Sequence, residues 1–160
     1  MKSYYILNCD NQKKIADSLY GYYLKLKNNR QMKNFWNPLS RQEIIEYFLE
    51  TNNPTSEWFK VLGLRVRDMS FTIYDDDIKT SIHRDQKPVI AKINFPVLNT
   101  NDTYNVWYDD DHKEIDRVEC DRPIVLRSDI LHTVEIGKDA KYPRIQFSFC
   151  FYNEPLHLLK

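Results

Sequence analysis

Ser81-Ile82-His83-Arg84-Asp85-Gln86-Lys87 sets a histidine and an aspartate two residues apart. In extended backbone, successive side chains alternate between faces, so residues i and i+2 share one. His83 and Asp85 can therefore aim at a single ion, one through an imidazole nitrogen and the other through a carboxylate oxygen. Working outward, a second histidine lies far downstream in Ile130-Leu131-His132-Thr133-Val134, after the turn residues Arg127-Ser128-Asp129. Arg144 follows about a dozen residues later, in Tyr142-Pro143-Arg144-Ile145-Gln146-Phe147-Ser148-Phe149. Alternation puts Arg144, Gln146 and Ser148 on one face of that run and Ile145, Phe147 and Phe149 on the other. If the polar face looks into an enclosed space, the guanidinium requires an anion, because an unpaired buried charge is costly.

Two histidines and one carboxylate on one face of a metal leave its other positions open, the arrangement of non-haem Fe(II) oxygenases. From about Leu64 to Tyr152 the chain resembles the Fe(II)/2-oxoglutarate-dependent dioxygenase superfamily. The shared pattern is His-x-Asp, a distal His and then an Arg, on a double-stranded β-helix. Pro123 to Leu126 reproduces the strand that precedes the family's distal ligand. The resemblance implies Fe(II) held by His83, Asp85 and His132, 2-oxoglutarate as cosubstrate with Arg144 on its far carboxylate, and O2 as oxidant. The implied outcome is hydroxylation of an unactivated C–H bond of an amino acid, peptide side chain or other small molecule, with release of succinate and CO2. Halogenating relatives lack the carboxylate ligand, so Asp85 implies hydroxylation instead.

Ala91-Lys92-Ile93-Asn94-Phe95-Pro96 looks like a strand of the aspartyl/asparaginyl β-hydroxylase branch, with Asn where that branch has His. The likeness implies that Asn94 and Lys92 touch 2-oxoglutarate; Ser148, which alternation places on the face of Arg144, is a further candidate contact. That branch typically lacks the carboxylate ligand, and Asp85 departs from it. Plainer readings exist for each residue. Asp85 could pair with Arg84 or Lys87, Lys92 could be solvated, His132 could be a core histidine, and Arg144 could pair on the surface. Two rival functions stand beside the oxygenase. One is a metal-dependent cupin-like isomerase or lyase, which would not need Arg144. The other is a non-catalytic β-sandwich binding module without a tight metal site.

The remainder of the chain fits this frame. A length of 160 residues suits one domain with a real core. The expected division is an N-terminal helical support over 1–63 and a double-stranded β-helix core over 64–152. The fold class is mostly β (α+β), a jelly roll or cupin-like barrel with N-terminal helices buttressing one sheet. Ser3 to Leu7 reads as a first strand. Ile15, Leu19, Tyr22, Tyr23 and Leu26 recur at helical spacing behind a cap at Asp10 or Asn11. Ser40-Arg41-Gln42-Glu43 is a capping-box pattern for a second helix, which Asn52-Asn53-Pro54 ends. Phe35 and Trp36 read as loop, and Trp58, Phe59 and Leu62 as a short helical turn. Strands are expected over 64–74, 80–83, 89–98, 103–108, 114–119, 122–126, 132–136 and 144–151, a number that suits two packed sheets. Asp75-Asp76-Asp77 reads as a solvated turn, because the glycine and terminal glutamate of a calcium loop are missing. His112 sits in an acidic turn with no strand to aim it, and His157 reads as a solvent histidine. Trp107 and Tyr108 read as core or pocket wall.

Formal net charge is zero, so nothing pulls the chain towards nucleic acid or an anionic membrane. Cys9, Cys120 and Cys150 are an odd, widely spaced set that reads as free thiols. With no leader pattern and no apolar run of spanning length, a cytoplasmic location is expected.

Overall fold

The computed structural model describes residues 2–76, 79–85 and 89–160. Asp77 of the acidic turn and Lys87, the alternative partner of Asp85, lie outside the described residues. Among those described, the elements in chain order are β1 (Tyr4–Ile6), α1 (Gln12–Asn29), β2 (Phe35–Pro38), α2 (Arg41–Phe48) and α3 (Pro54–Val61). They continue with β3 (Val66–Tyr74), β4 (Ala91–Leu98), β5 (Thr103–Tyr108), β6 (Glu114–Glu119), β7 (Ile124–Arg127), β8 (Leu131–Ile136) and β9 (Arg144–Phe151). A 3₁₀ turn over Leu156–Leu159 follows and carries His157.

The strands form a six-stranded sheet in the order β1-β7-β4-β9-β3-β2 and a three-stranded sheet in the order β6-β5-β8. Every pairing is antiparallel. Most neighbours in the large sheet are distant in sequence, because the chain crosses between sheets instead of folding back on itself. This is the double-stranded β-helix, with helices on one side.

Period-2 alternation explains why the large sheet has two unlike faces. Its outer face carries Phe71 and Ile73 from β3, Ile93 and Phe95 from β4, and Ile145, Phe147, Phe149 and Phe151 from β9, all buried in one apolar cluster. The helices cover that face. α1 lies against β4 and α3, and α2 lies against β3. Phe59 of α3 meets Phe149 and Phe151 edge-on, with ring centroids 4.9 and 5.0 Å apart. Edge-to-face geometry is the favoured one for aromatic rings. The inner face is polar: Asp68, Ser70 and Thr72 on β3, Lys92 and Asn94 on β4, and Arg144, Gln146 and Ser148 on β9. Inner positions meet one another across the ladders, Ser148 lying opposite both Ser70 and Asn94. A smaller apolar cluster of Trp107, Val118, Ile124 and Leu126 fills part of the space between the sheets.

The starts of α2 and α3 follow their local chemistry, whereas Asn11, at the start of α1, makes no side-chain capping hydrogen bond. Ser40 Oγ accepts from the Glu43 amide and the Glu43 carboxylate accepts from the Ser40 amide, completing the capping box of α2. Asn53 does more than end α2. Its Oδ1 accepts from the amides of Thr55 and Ser56, and Pro54 takes the first helical position, so α3 is an eight-residue helix and not a brief turn.

Two other expectations are corrected. Phe35 and Trp36 are not loop. They open β2, which pairs with β3 from Phe35 opposite Ile73 to Pro38 opposite Ser70. β2 is an edge strand, where a proline without an N–H is tolerated. Phe35 itself has φ 90°, a left-handed value strained for any residue with a Cβ, and its ring stacks on Tyr74 at 5.5 Å. The strand expected over 80–83 is reduced to a single bridge, His83 with His132. The Thr80 and Thr133 hydroxyls lie 2.6 Å apart, and Thr133 Oγ1 also donates to the Thr80 carbonyl, so side chains replace the ladder there. Cys9, Cys120 and Cys150 are free. Among the described residues, no helix is long and apolar enough to cross a membrane.

Candidate metal centre

His83 and His132 exchange both backbone hydrogen bonds, His83 N–H to the His132 carbonyl at 3.0 Å and the reverse at 2.8 Å. Directly paired residues in an antiparallel bridge project their side chains to the same face. The two imidazoles therefore lie side by side, with ring centroids 4.6 Å apart. Asp85 follows two residues after His83, and its amide donates to the Ser128 carbonyl at 2.8 Å. Its Oδ1 lies 3.4 Å from His132 Nε2 and 3.6 Å from His83 Nε2. One ligand atom from each of the three residues falls within 4.8 Å of the others.

The tautomers follow from hydrogen bonding. His83 Nδ1 lies 2.8 Å from the Ser81 carbonyl and His132 Nδ1 lies 2.7 Å from the Ile130 carbonyl. A carbonyl only accepts, so each Nδ1 carries the proton and each Nε2 presents a lone pair to the centre. Two lone-pair nitrogens then face one carboxylate oxygen with no donor between them. Such a set calls for a cation or a proton. Contact with Asp85 raises the His83 pKa above the usual histidine value. Burial pushes the Asp85 carboxyl up, but His132, His83 and Lys92 outweigh it and hold the group ionised well below the usual carboxylate range.

A cleft of about 860 Å³ opens onto this group. Its floor is the polar inner face of the large sheet, including Ser70, Thr72 and Ser148, and the edge residues Trp36, Pro38 and Leu39 form an apolar wall. Trp36 is 55% exposed. A second hollow of about 350 Å³ meets the first at Phe35 and His83 and reaches Thr80 and Ser81.

The other residues singled out from the sequence fall into two places. Lys92 joins the triad: its Nζ lies 2.5 Å from Asp85 Oδ2. Ser148 lines the cleft and donates to Asn94 Oδ1 at 2.7 Å, while Asn94 is buried. Arg144 is 1% exposed and lies between the sheets, on the inner face of β9. Its Nε donates to Thr103 Oγ1 on β5 at 3.1 Å and its Nη2 to Gln146 Oε1 at 3.0 Å. Its guanidinium sits 5.0 Å over the Tyr74 ring, whose hydroxyl burial pushes up to about 12. Among the described residues, Nη1 is buried without a hydrogen-bond partner and no carboxylate pairs with Arg144. His112 stays in its exposed turn, apart from the triad. Trp107 is fully buried, stacked on Tyr4 at 5.2 Å and paired with His132 across β5 and β8.

Sequence reasoning missed Tyr74, Thr103 and the cleft wall. The Asp68-x-Ser70-x-Thr72 alternation did carry a signal for a polar inner face on β3. Trp36 carried none, because a four-residue edge strand beginning at a left-handed residue has no periodicity to read.

No protein-family model matches the chain, and no curated protein matches it. Solved structures do match over nearly its whole length. A Pseudomonas putida prolyl-4-hydroxylase aligns over 93% of this chain and 91% of its own, with TM-score 0.57 and 11% identity. A Trichoplax adhaerens prolyl hydroxylase, solved in complex with a peptide fragment of the hypoxia inducible factor oxygen degradation domain, aligns over 98% and 86%, with TM-score 0.56 and 10% identity. The chain has the fold of the Fe(II)/2-oxoglutarate-dependent oxygenases. HygX from Streptomyces hygroscopicus, crystallised with nickel and 2-oxoglutarate bound, aligns over 92% of this chain and 81% of its own, with TM-score 0.55 and 7% identity.

Proposed function

We propose that this chain is an Fe(II)- and 2-oxoglutarate-dependent oxygenase that hydroxylates an unactivated C–H bond of a small molecule or peptide side chain. The observation that carries the reading is a pair of features: three converging ligand atoms, and a buried guanidinium with one N–H unpaired among the described residues. The first fits a divalent metal. Two imidazole nitrogens and one carboxylate oxygen are the ligand set of the facial triad. The second fits an acid with a carboxylate remote from the metal, since a planar guanidinium recognises carboxylate geometry well. 2-Oxoglutarate carries a carboxylate at each end, so it would suit both groups, with the triad residues holding the metal and Arg144, buried on the inner face of β9, the candidate for its far carboxylate. The unpaired Nη1 also favours this reading over a cupin-like isomerase, which would leave the guanidinium idle.

Fe(II) with 2-oxoglutarate and O2 would supply the oxidising chemistry, giving hydroxylated product, succinate and CO2. The chain's own residues would do the rest. His83, Asp85 and His132 would hold the metal from one side, their ring nitrogens aimed by the Ser81 and Ile130 carbonyls. Thr103 and Gln146 would fix the guanidinium plane of Arg144. Trp36, Pro38 and Leu39 would present an apolar wall to the substrate and limit water at the site. The prolyl hydroxylase solved with a peptide fragment supports a peptide as one substrate class, alongside small molecules.

The test is anaerobic loading of the purified protein with Fe(II) and 2-oxoglutarate, followed by air. One iron per chain and succinate formation that depends on His83, Asp85 and His132 are expected. Absence of a stoichiometric metal site would refute the reading, and a metal site without 2-oxoglutarate consumption would favour the cupin-like alternative.

A further inference from the structure

We propose that Lys92 is a positioning residue that confines Asp85 to ligation through one oxygen, keeping a coordination position open for O2. The inference rests on the oxygenase reading and concerns a contact that the triad alone does not require.

The two oxygens of Asp85 have different partners. Oδ1 faces both imidazoles, at 3.4 and 3.6 Å. Oδ2 instead meets Lys92 Nζ, at 2.5 Å. A carboxylate can ligate a metal through one oxygen or through both. The count of positions makes that choice matter. In an octahedral site three protein atoms and two 2-oxoglutarate oxygens leave one position. Two-oxygen binding by Asp85 would fill it.

Lys92 is built to prevent that rotation. It projects from β4, whose backbone is held on both sides by β7 and β9, so the base of its side chain is fixed. Its side chain is 17% exposed, and among the described residues Asp85 is its only ion-pair partner. An ammonium–carboxylate hydrogen bond is charge-assisted and roughly twice as strong as a neutral one. Asp85 is thus held at both ends, by Ser128 through its amide and by Lys92 through Oδ2. The arrangement predicts a requirement for an N–H donor at this place, more than for charge as such.

The experiment uses full-length protein loaded anaerobically with Fe(II), saturated with 2-oxoglutarate and titrated with nitric oxide, a diatomic stand-in for O2 read by the electron paramagnetic resonance of its iron adduct. Wild type should bind one nitric oxide per iron. Lys92→Met keeps the apolar stem and removes the donor, and should bind nitric oxide at least tenfold more weakly. Lys92→Arg and Lys92→Gln keep an N–H for Oδ2 and should stay within about threefold of wild type. Lys92→Leu also removes the donor, should bind nitric oxide at least tenfold more weakly, and keeps the test decisive if Lys92→Met fails to fold. Nitric oxide affinity in Lys92→Met equal to wild type would overturn the proposal. So would tenfold weaker 2-oxoglutarate binding with nitric oxide affinity unchanged at saturation, which would make Lys92 a cosubstrate contact. Loss of nitric oxide binding in Lys92→Gln and Lys92→Arg as well as Lys92→Met would also overturn it, since the donor would then be irrelevant. Failure of wild type to bind iron would instead refute the oxygenase reading itself, and the clamp with it.

Discussion

His83 and His132 face each other as a hydrogen-bonded cross-strand pair, joined by two backbone bonds of 3.0 and 2.8 Å. That relationship converts two distant histidines into adjacent ring nitrogens, and it ties the centre to strand register. A slip of one residue would turn either ring to the opposite face. The site therefore depends on a single bridge on the edge of β8 that faces away from β5.

Single substitutions in the triad should separate metal binding from folding. His83→Ala should abolish stoichiometric Mn(II) binding in a calorimetric titration while changing stability by no more than about 0.5 kcal/mol, as for an accessible side chain. The His83 side chain is 44% exposed. His132→Ala should also abolish binding, but with a loss of about 1–2 kcal/mol, because its ring is buried and its Nδ1 hydrogen bond is lost. Retention of a one-to-one metal site in either variant would exclude that histidine as a ligand.

Arg144 makes a different kind of prediction. Among the described residues its buried Nη1 has no hydrogen-bond partner. Replacing a buried charge with an apolar side chain of similar size is often neutral or stabilising. Arg144→Met should therefore leave the melting temperature of the free protein unchanged or slightly raised. Millimolar 2-oxoglutarate with Mn(II) should raise the melting temperature of wild type, since a ligand that binds only the folded state stabilises it. The same addition should have little effect on Arg144→Met, while Mn(II) affinity stays near wild type. An equal 2-oxoglutarate shift in both proteins would remove Arg144 from the cosubstrate site.

These two predictions draw on what could be read in advance. The triad was legible because its elements are local: His83 and Asp85 share a face by simple alternation, and His132 opens a strand after a turn. The inward position of Arg144 was legible because β9 alternates polar and aromatic residues along its length. The helices announced themselves through Ser40 and Glu43 and through the 3.6-residue spacing of α1. The Lys92–Asp85 contact was not legible, since it joins two segments whose relative position only the assembled sheets define. β2 was hidden for a related reason. Its conformation is imposed by pairing with β3, against the intrinsic preference of Phe35, and tertiary context of that sort leaves no trace in local composition.

The cleft wall should matter for substrate and little else. Trp36→Ala removes an exposed ring from an edge strand, so stability should change by no more than about 0.5 kcal/mol. Mn(II) and 2-oxoglutarate affinities should be unchanged, since neither the triad nor Arg144 depends on the indole. Once a substrate is identified, its KM should rise about tenfold or more, and substrate-independent succinate formation should persist. Unchanged KM in Trp36→Ala would move the substrate to the smaller hollow beside Thr80 and Ser81.

Phe59 tests how the helical layer supports the site. It is 3% exposed and touches Phe149 and Phe151 on the outer face of β9, the strand whose inner face carries Arg144 and Ser148. Truncating a buried phenylalanine costs about 3–5 kcal/mol, because transfer energy and the cavity left behind add. Domains of this kind are stable by about 5–15 kcal/mol in total, so Phe59→Ala should remove a large share of that margin. Urea denaturation should show a midpoint shift of that size with the slope retained. At low temperature, where the fold survives, Mn(II) affinity should remain within about threefold of wild type, because the metal ligands lie on β8 and its bridge and not on β9. A large drop in metal affinity in still-folded Phe59→Ala protein would mean that the helices shape the centre directly instead of only stabilising the sheet beneath it.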